Sequence, residues 1–162
     1  MAAKQTGVRI DVSTPIRAAR AQDAAAIAAC VHAAYRHYVE RIGKPPGPML
    51  DDYAQVIREH DVHVIERDGR IVGIVVLQRR GAGVLLDNIA VHPDAAGTGL
   101  GQMLLAFAES RAAARGFATL DLYTHALMHE NIAWYARNGY VETARVNEKG
   151  FERVYMRKCV RA

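Results

Sequence analysis

The stretch "LDNIAVHPDAAGTGLGQMLL" (residues 86–105) joins an apolar run, three closely spaced glycines and the start of an apolar helix. This order predicts an anion site, because the first turn of a helix leaves about four backbone N–H groups unpaired and its dipole favours negative charge. Glycines at positions 97, 99 and 101 would let a phosphate approach the backbone without interference from Cβ atoms. We therefore expect this loop to hold a phosphate-bearing ligand.

Two other phosphate-binding motifs fit this loop less well. A P-loop needs a lysine directly after its last glycine, and Gly101 is followed by Gln102. A dinucleotide fingerprint needs Gly-x-Gly-x-x-Gly directly after its strand, with an acidic residue about 20 positions later. Asp121 lies at that distance from Gly101, but the spacing here is Gly-x-Gly-x-Gly and "HPDAA" separates it from the strand.

Composition bounds the class of protein. The chain has 162 residues, 51% of them hydrophobic and 23% charged, which is typical of one soluble globular domain. The net charge of +4 suits an anionic ligand, but the basic residues are scattered, so we expect no nucleic-acid partner. The histidines and the two distant cysteines make no metal or redox spacing, which predicts no metal site and a reducing cytoplasm. No signal peptide or apolar run of about 20 residues is present, so no membrane partner is expected.

The hydrophobic patterns predict the order of the elements. A short strand at residues 15–20, a helix at 22–38 capped by Asp23 and a short helix capped by Asp51 come first. A hairpin turning at Asp68-Gly69 and a central strand at 83–91 follow. Gly116 and Gly139 should end the two later helices, and a pair of strands closes the chain. The hairpin excludes a purely parallel sheet.

The glycine stretch resembles the acetyl-CoA-binding motif of the GNAT superfamily of N-acetyltransferases. In that family a strand ending in Val-x-Pro leads through Gln/Arg-x-x-Gly-x-Gly/Ala into a helix, a spacing that residues 96–101 carry with Ala96 in place of Gln or Arg. The later segment "HENIAWYARNGYVE" is similar to a second family motif at Asn131, Tyr135, Gly139 and Tyr140. Both motifs occur in order, and the resemblance extends over residues 15–158.

The resemblance implies the fold, the domain organisation and the co-substrate. The fold would be α/β (α+β): a mixed, mostly antiparallel sheet of six to seven strands, flanked by about four helices and splayed at its central strands. Residues 1–14 would form a flexible arm and residues 15–162 a single acetyltransferase domain. Acetyl-CoA would lie in the splay, its pyrophosphate on backbone N–H groups of the loop and its pantetheine arm on main-chain groups of the strand. The implied cofactor-binding residues are Ile89, Ala90, Val91, Ala96, Gly97, Thr98, Gly99, Leu100, Gly101, Gln102, Asn131 and Tyr135.

Tyr135 matches the family position that returns a proton to the departing thiolate, a role that a phenol can fill; the alternative is a packing aromatic. Asn131 could bond the cofactor arm or cap its helix. Asp87, four residues before Val91 on the central strand, should share its face and could act as the base, orient the amine or form a buried ion pair. Asn88 should then lie on the opposite face as a substrate contact.

The acceptor site is expected between the first two helices, where acids and phenols suit a cationic amine. The candidate substrate-binding residues are Tyr35, Tyr38, Tyr53 and Asn88. We therefore interpret the chain as an N-acetyltransferase that acts by direct transfer on a small-molecule or peptide amine, and many similar proteins are dimers. Two other classes stay open: a non-catalytic acyl-CoA-binding or regulatory module of the same fold, and an interaction protein that pairs through its sheet edges.

Overall fold

A seven-stranded sheet forms the centre of the computed structural model, which describes residues 15–161. Its strands lie in the order β1-β2-β3-β4-β5-β7-β6, and every neighbouring pair except β4 and β5 is antiparallel. The strands are β1 (Ile16–Ala18), β2 (Asp61–Arg67), β3 (Arg70–Arg80), β4 (Gly83–Val91), β5 (Thr119–His125), β6 (Val141–Glu148) and β7 (Phe151–Cys159). This confirms the expected mixed, mostly antiparallel fold. The arm expected over residues 1–14 lies outside the described residues.

Five α-helices cover the sheet within residues 15–161. They are α1 (Ala24–Tyr35), α2 (Tyr38–Ile42), α3 (Tyr53–Glu59), α4 (Leu100–Ala114) and α5 (His129–Arg137). Gly116 and Gly139 follow α4 and α5 with φ values of 88° and 92°, as the positions after a helix C-terminus require. Within the same residues, none of the helices is long and apolar enough to cross a membrane.

Two hydrophobic clusters pack on opposite faces of the sheet. One joins α4 and α5 to the sheet around Leu104, Leu120 and Leu122, and the other joins α1 and α3 to it around Ile27 and Ile74. All five side chains are completely or almost completely buried. Burial of each contributes about 1.5–3 kcal/mol relative to exposure.

The tight hairpin between β2 and β3 forms as predicted. Asp68 and Gly69 both have positive φ, at 51° and 73°, which is the backbone of a two-residue turn matched to the twist of its strands. The hairpin places β3 beside β4, and β4 becomes the central strand of the sheet.

The predicted start and caps of the first helices need correction. The helix expected over residues 22–38 ends at Tyr35, and α2 is a separate short helix. Asp23 occupies the predicted N-cap position of α1, but its carboxylate makes no capping bond to that helix and accepts instead from the guanidinium of Arg17 and the N–H of Arg20. The cap of α3 is Asp52 rather than Asp51: the Asp52 carboxylate accepts from the N–H groups of Ala54 and Gln55.

The two central strands splay apart, as expected. The parallel strands β4 and β5 pair only at Leu85 with Asp121 and at Leu86 with Leu122. Beyond these positions the remainder of β4, residues 87–91, has no sheet partner on the β5 side. A gap therefore opens at the centre of the sheet.

A β-bulge at Asp87 interrupts the alternation of side chains between the two faces of the sheet along β4. Val76 of β3 pairs with Asn88 and Leu77 pairs with Leu86, so Asp87 has no partner on β3. After the bulge the alternation resumes: Val91 packs on the α4 cluster, whereas Asn88 bonds to side chains of α1 and α3. The prediction that Asn88 lies on the face opposite Val91 is confirmed. The prediction that Asp87 shares the face of Val91 is wrong, because the inserted residue interrupts the alternation and Asp87 lines a cleft with Val56 of α3.

Candidate functional site

A cavity opens where β4 and β5 diverge. Side chains from β4, α1 and α5 meet in it, although they are far apart in the sequence. Six of the predicted site residues line it: Tyr35, Asp87, Asn88, Ile89, Asn131 and Tyr135. The structure thus brings both predicted catalytic residues into one cavity with part of each predicted binding set.

Main-chain groups of β4 form one wall of the gap. The N–H of His92 donates to the carbonyl of Val72, so the even-numbered residues at the end of this strand direct their N–H and C=O groups at β3. Ile89 and Val91 therefore direct theirs into the gap, whereas those of Ala90 face β3. The carbonyl of Ile89 accepts a hydrogen bond from the Tyr35 hydroxyl at 3.1 Å. The main-chain groups of Ile89 and Val91 thus border the gap, whereas those of Ala90 do not.

The glycine loop presents a row of free donors beside the gap. The N–H groups of residues 97–102 have no hydrogen-bond partner within residues 15–161, and the first backbone bond of α4 runs from the N–H of Met103 to Gly99. The N–H of Ala96 is already engaged, because it donates to the carbonyl of Pro93 at 3.1 Å. Six consecutive free N–H groups at a helix start are the donors that an anion needs.

Two of the three loop glycines are required by the backbone. Gly97 and Gly99 have φ values of 75° and 84°, a left-handed conformation that costs other residues about 1–2 kcal/mol. Gly101 is helical, and a Cβ there would only make ordinary contact with the Trp134 ring, at 3.7 Å. The backbone conformation thus requires glycine at 97 and 99 but not at 101, and the approach of a phosphate to all three stays a prediction.

The side chains of Thr98 and Gln102 are occupied within the protein. The hydroxyl of Thr98 donates to the carbonyl of Ala95, which braces the loop. The amide of Gln102 donates to Asn138 at 2.7 Å and ties α4 to the end of α5. Only their main-chain N–H groups remain for a ligand.

The Tyr135 side chain is almost fully buried, with 5% of its surface exposed, and it faces the cavity. Its ring packs edge-on against Tyr140, at 5.7 Å between centroids. Its hydroxyl forms no hydrogen bond to any of residues 15–161. Burial raises the pKa of this phenol well above its ordinary value, so Tyr135 carries its proton at neutral pH and can donate it.

Asp87 has a hydrogen-bond partner that the sequence did not reveal. The hydroxyl of Tyr123 donates to its Oδ1 at 3.0 Å, and the Arg153 guanidinium lies over the Tyr123 ring, 4.3 Å from its centroid. Burial, and then the nearby Asp87 charge, raise the pKa of Tyr123, so this hydroxyl remains a donor. The pairing of Leu86 with Leu122 places residues 87 and 123 at the same level of the sheet, a register that no sequence pattern specified.

The four predicted acceptor-site residues do not all reach this cavity. Tyr35 and Asn88 line it and are joined by a 2.8 Å hydrogen bond. Tyr53 lies behind them: its hydroxyl donates to the carbonyl of Pro48 and accepts from the Asn88 amide. Tyr38 lines a separate shallow depression on the other side of Tyr35.

Asn131 lines the cavity from α5, with its amide 3.5 Å from the sulfur of Met128. The N-cap position of this helix is Met128, so the alternative that Asn131 caps the helix is wrong. Within the described part of the chain, no three His, Cys, Asp or Glu side chains are grouped so that they could hold a metal ion.

Known protein families include one whose profile matches the central part of this chain. The family profile described as "Acetyltransferase (GNAT) domain" matches residues 58–142, which include β4, the glycine loop and α5. No curated protein sequence matches the chain.

Solved structures share the fold at low sequence identity. The ribosomal-protein-S18-alanine N-acetyltransferase from Escherichia coli is 21% identical, covering 92% of this chain and 95% of that one, with a TM-score of 0.74. The PaiA N-acetyltransferase from Thermoplasma acidophilum, in complex with coenzyme A, is 16% identical over 91% and 99%, with a TM-score of 0.75. An N-acetyltransferase from Staphylococcus aureus is 18% identical over 91% and 99%, with a TM-score of 0.69.

Proposed function

Since the chain belongs to the GNAT acetyltransferase family, we propose that it transfers the acetyl group of acetyl-CoA directly to a primary amine. The observation that carries this proposal is the row of free N–H groups at residues 97–102, which lies beside a gap containing Tyr135 and Asp87. The coenzyme A complex of the Thermoplasma structure supports the choice of co-substrate.

The residues present fit coenzyme A. Its diphosphate would lie on the free N–H groups of the loop, where Gly97 keeps the approach open: a Cβ there would have no heavy atom within 4 Å. Its pantetheine arm would pair with the main-chain groups of Ile89 and Val91 that face the gap. Ala96 supplies no side-chain donor, so recognition would rest on the backbone.

The transfer can be balanced with the side chains in the cavity. The amine nitrogen attacks the acetyl carbon, so that a C–N bond forms and the C–S bond breaks. An acceptor that binds as an ammonium first releases one proton to solvent; Asp87, directly or through water, takes the second proton, which the nitrogen loses on attack, and passes it to solvent. Tyr135 gives its proton to the departing sulfur and regains one from solvent. The hydrogen bond from Tyr123 would orient the Asp87 carboxylate toward the amine.

Two measurements test this function. Isothermal titration calorimetry with acetyl-CoA tests binding, and release of the free thiol in the presence of an amine panel tests transfer. We expect tight binding and thiol release that depends on an added amine. Binding without any release would instead identify a non-catalytic acyl-CoA-binding module, and absence of binding would refute the assignment of the loop.

Removal of one hydroxyl tests the proposed acid. Tyr135→Phe should lower kcat by about 100-fold or more, the range for loss of a general acid, with stability nearly unchanged because this hydroxyl has no hydrogen-bond partner among residues 15–161. Tyr140→Phe is the matched control, since it deletes a buried hydroxyl bonded to Glu109 outside the cavity. That variant should lose stability and keep kcat. An unchanged kcat for Tyr135→Phe would exclude Tyr135 as the acid.

A further inference from the structure

A second cleft leads from the surface to the proposed reaction position. It shares five lining residues with the cavity of Tyr135: Gly47, Asp87, Tyr123, Phe151 and Arg153. Asn131 and Tyr135 lie only on the first side of this shared wall, where the thioester would enter. The second side is therefore the route by which an acceptor reaches Asp87.

Two carboxylates lie in the wall of this cleft. Asp51 lines it together with Asp87. The pKa of Asp51 is raised by partial removal of its carboxyl from water and then by the negative charge of Asp87, so the two carboxylates repel each other, and the positive charges of Lys149 and Arg153 partly offset this effect. A cation placed between them relieves this repulsion, and the ammonium form of an amine supplies one.

The same cleft also carries cations without carboxylate partners. Arg153 is already paired with Glu148 at 3.0 Å. Arg80, by contrast, has the Tyr155 hydroxyl as its hydrogen-bond partner, at 3.4 Å, and within residues 15–161 neither Arg80 nor Lys149 forms an ion pair. Lys149 is held in the β6–β7 turn by a left-handed backbone, with φ of 52°.

Resting on the proposed function, we propose that the acceptor is a small zwitterion that carries a primary amine and a carboxylate. Its amine lies at Asp87 and Asp51, and its carboxylate faces Arg80 and Lys149. A diamine is the disfavoured alternative, because its second ammonium would lie among these two cations. The carboxylates and the cations in the wall of the cleft would thus together select an amino acid over its decarboxylated amine.

Matched acceptors that differ only in the carboxylate test this inference. Lysine and cadaverine form one such pair, and phenylalanine and phenethylamine form another. Thiol release should give a kcat/KM at least tenfold higher for the carboxylate-bearing member of a pair. Equal or faster transfer to the amines without a carboxylate would overturn the zwitterion and leave the acetyltransferase function intact. Transfer to no amine at all, despite binding of acetyl-CoA, would refute the proposed function itself.

Charge-removing variants locate the carboxylate. Arg80→Gln combined with Lys149→Asn, in which asparagine tolerates the positive φ, should abolish most of the preference by raising KM for the amino acid alone. Arg79→Gln is the control, because it removes the same charge one residue away on β3, where the guanidinium stacks on Phe117 outside the cleft. A double variant that keeps the preference, or that impairs both members of a pair equally, would contradict the proposal.

Discussion

Substitution of Gly97 by alanine separates the folding role of the glycine loop from its proposed binding role. Gly97 has φ of 75°, and an added Cβ would meet no heavy atom within 4 Å. The variant therefore introduces no clash, and its cost to folding is the left-handed backbone alone. We expect a loss of about 1 kcal/mol in the free energy of unfolding, since the left-handed conformation costs about 1–2 kcal/mol and alanine stiffens the unfolded chain.

Binding of acetyl-CoA should suffer more than folding. A Cβ at position 97 would project into open space, and we expect the new methyl group to obstruct the approach of a diphosphate to the N–H groups of residues 97–102. Loss of one hydrogen bond to a charged group costs about 1.5–3 kcal/mol, which corresponds to a dissociation constant weaker by roughly 10- to 100-fold. Calorimetric titration with acetyl-CoA measures this change, and urea unfolding measures the stability.

Gly116→Ala is the matched control for this experiment. Gly116 has φ of 88°, has no heavy atom within 4 Å of an added Cβ, and lies at the opposite end of α4. The control should lose similar stability and bind acetyl-CoA like the original protein. If Gly97→Ala binds acetyl-CoA as tightly as Gly116→Ala does, the loop does not hold the diphosphate and our reading of its free N–H groups is wrong.

Three further variants test the surrounding structure. Asp23→Asn should lower the free energy of unfolding by about 1–3 kcal/mol at pH 7. Because Arg17 lowers the pKa of Asp23, the ionised carboxylate stabilises the fold above about pH 4. Urea unfolding should therefore show the difference in stability between the two proteins shrinking as the pH falls below about 4. Burial lowers the pKa of His63, so protonation of this side chain favours the unfolded chain. As the pH falls from about 6.5 to 5, the melting temperature of the original protein should therefore fall more than that of His63→Leu. Tyr53→Phe should lose about 1–3 kcal/mol in urea unfolding, because the amide of Asn88 loses its acceptor; unchanged stability would contradict that hydrogen bond.

The sequence predicted the parts of the fold that local chemistry specifies. Asp68-Gly69 and the glycines at 116 and 139 have positive φ, and each of these positions was identifiable because few other residues adopt that backbone. The central position of β4 followed from its nearly continuous apolar run. The caps were less accurate: Asp23 lies at the N-cap position of α1, but Arg17 engages its carboxylate, and the cap of α3 is Asp52 rather than Asp51.

The features that sequence analysis missed depend on pairing between distant segments. The bulge at Asp87 exists only relative to the register of β3, so strict alternation placed Asp87 and Asn88 on opposite faces. Tyr123 read as an ordinary strand residue, because its bond to Asp87 follows from the short pairing of two strands separated by a whole helix. The cleft shared by Asp51, Arg80 and Lys149 likewise joins three separate loops and strand ends.

The short pairing between β4 and β5 makes the sheet two antiparallel halves that meet at a narrow seam of two residue pairs. A molecule that hydrogen-bonds to Ile89 and Val91 would replace the strand pairing that is missing beside that seam and would link the two halves of the sheet. By mass action, a ligand at 100 times its dissociation constant would add about 2.7 kcal/mol to the stability of the folded state. The proposed co-substrate would thus also stabilise the sheet while it is bound, and each release of product would return the protein to its least stable state.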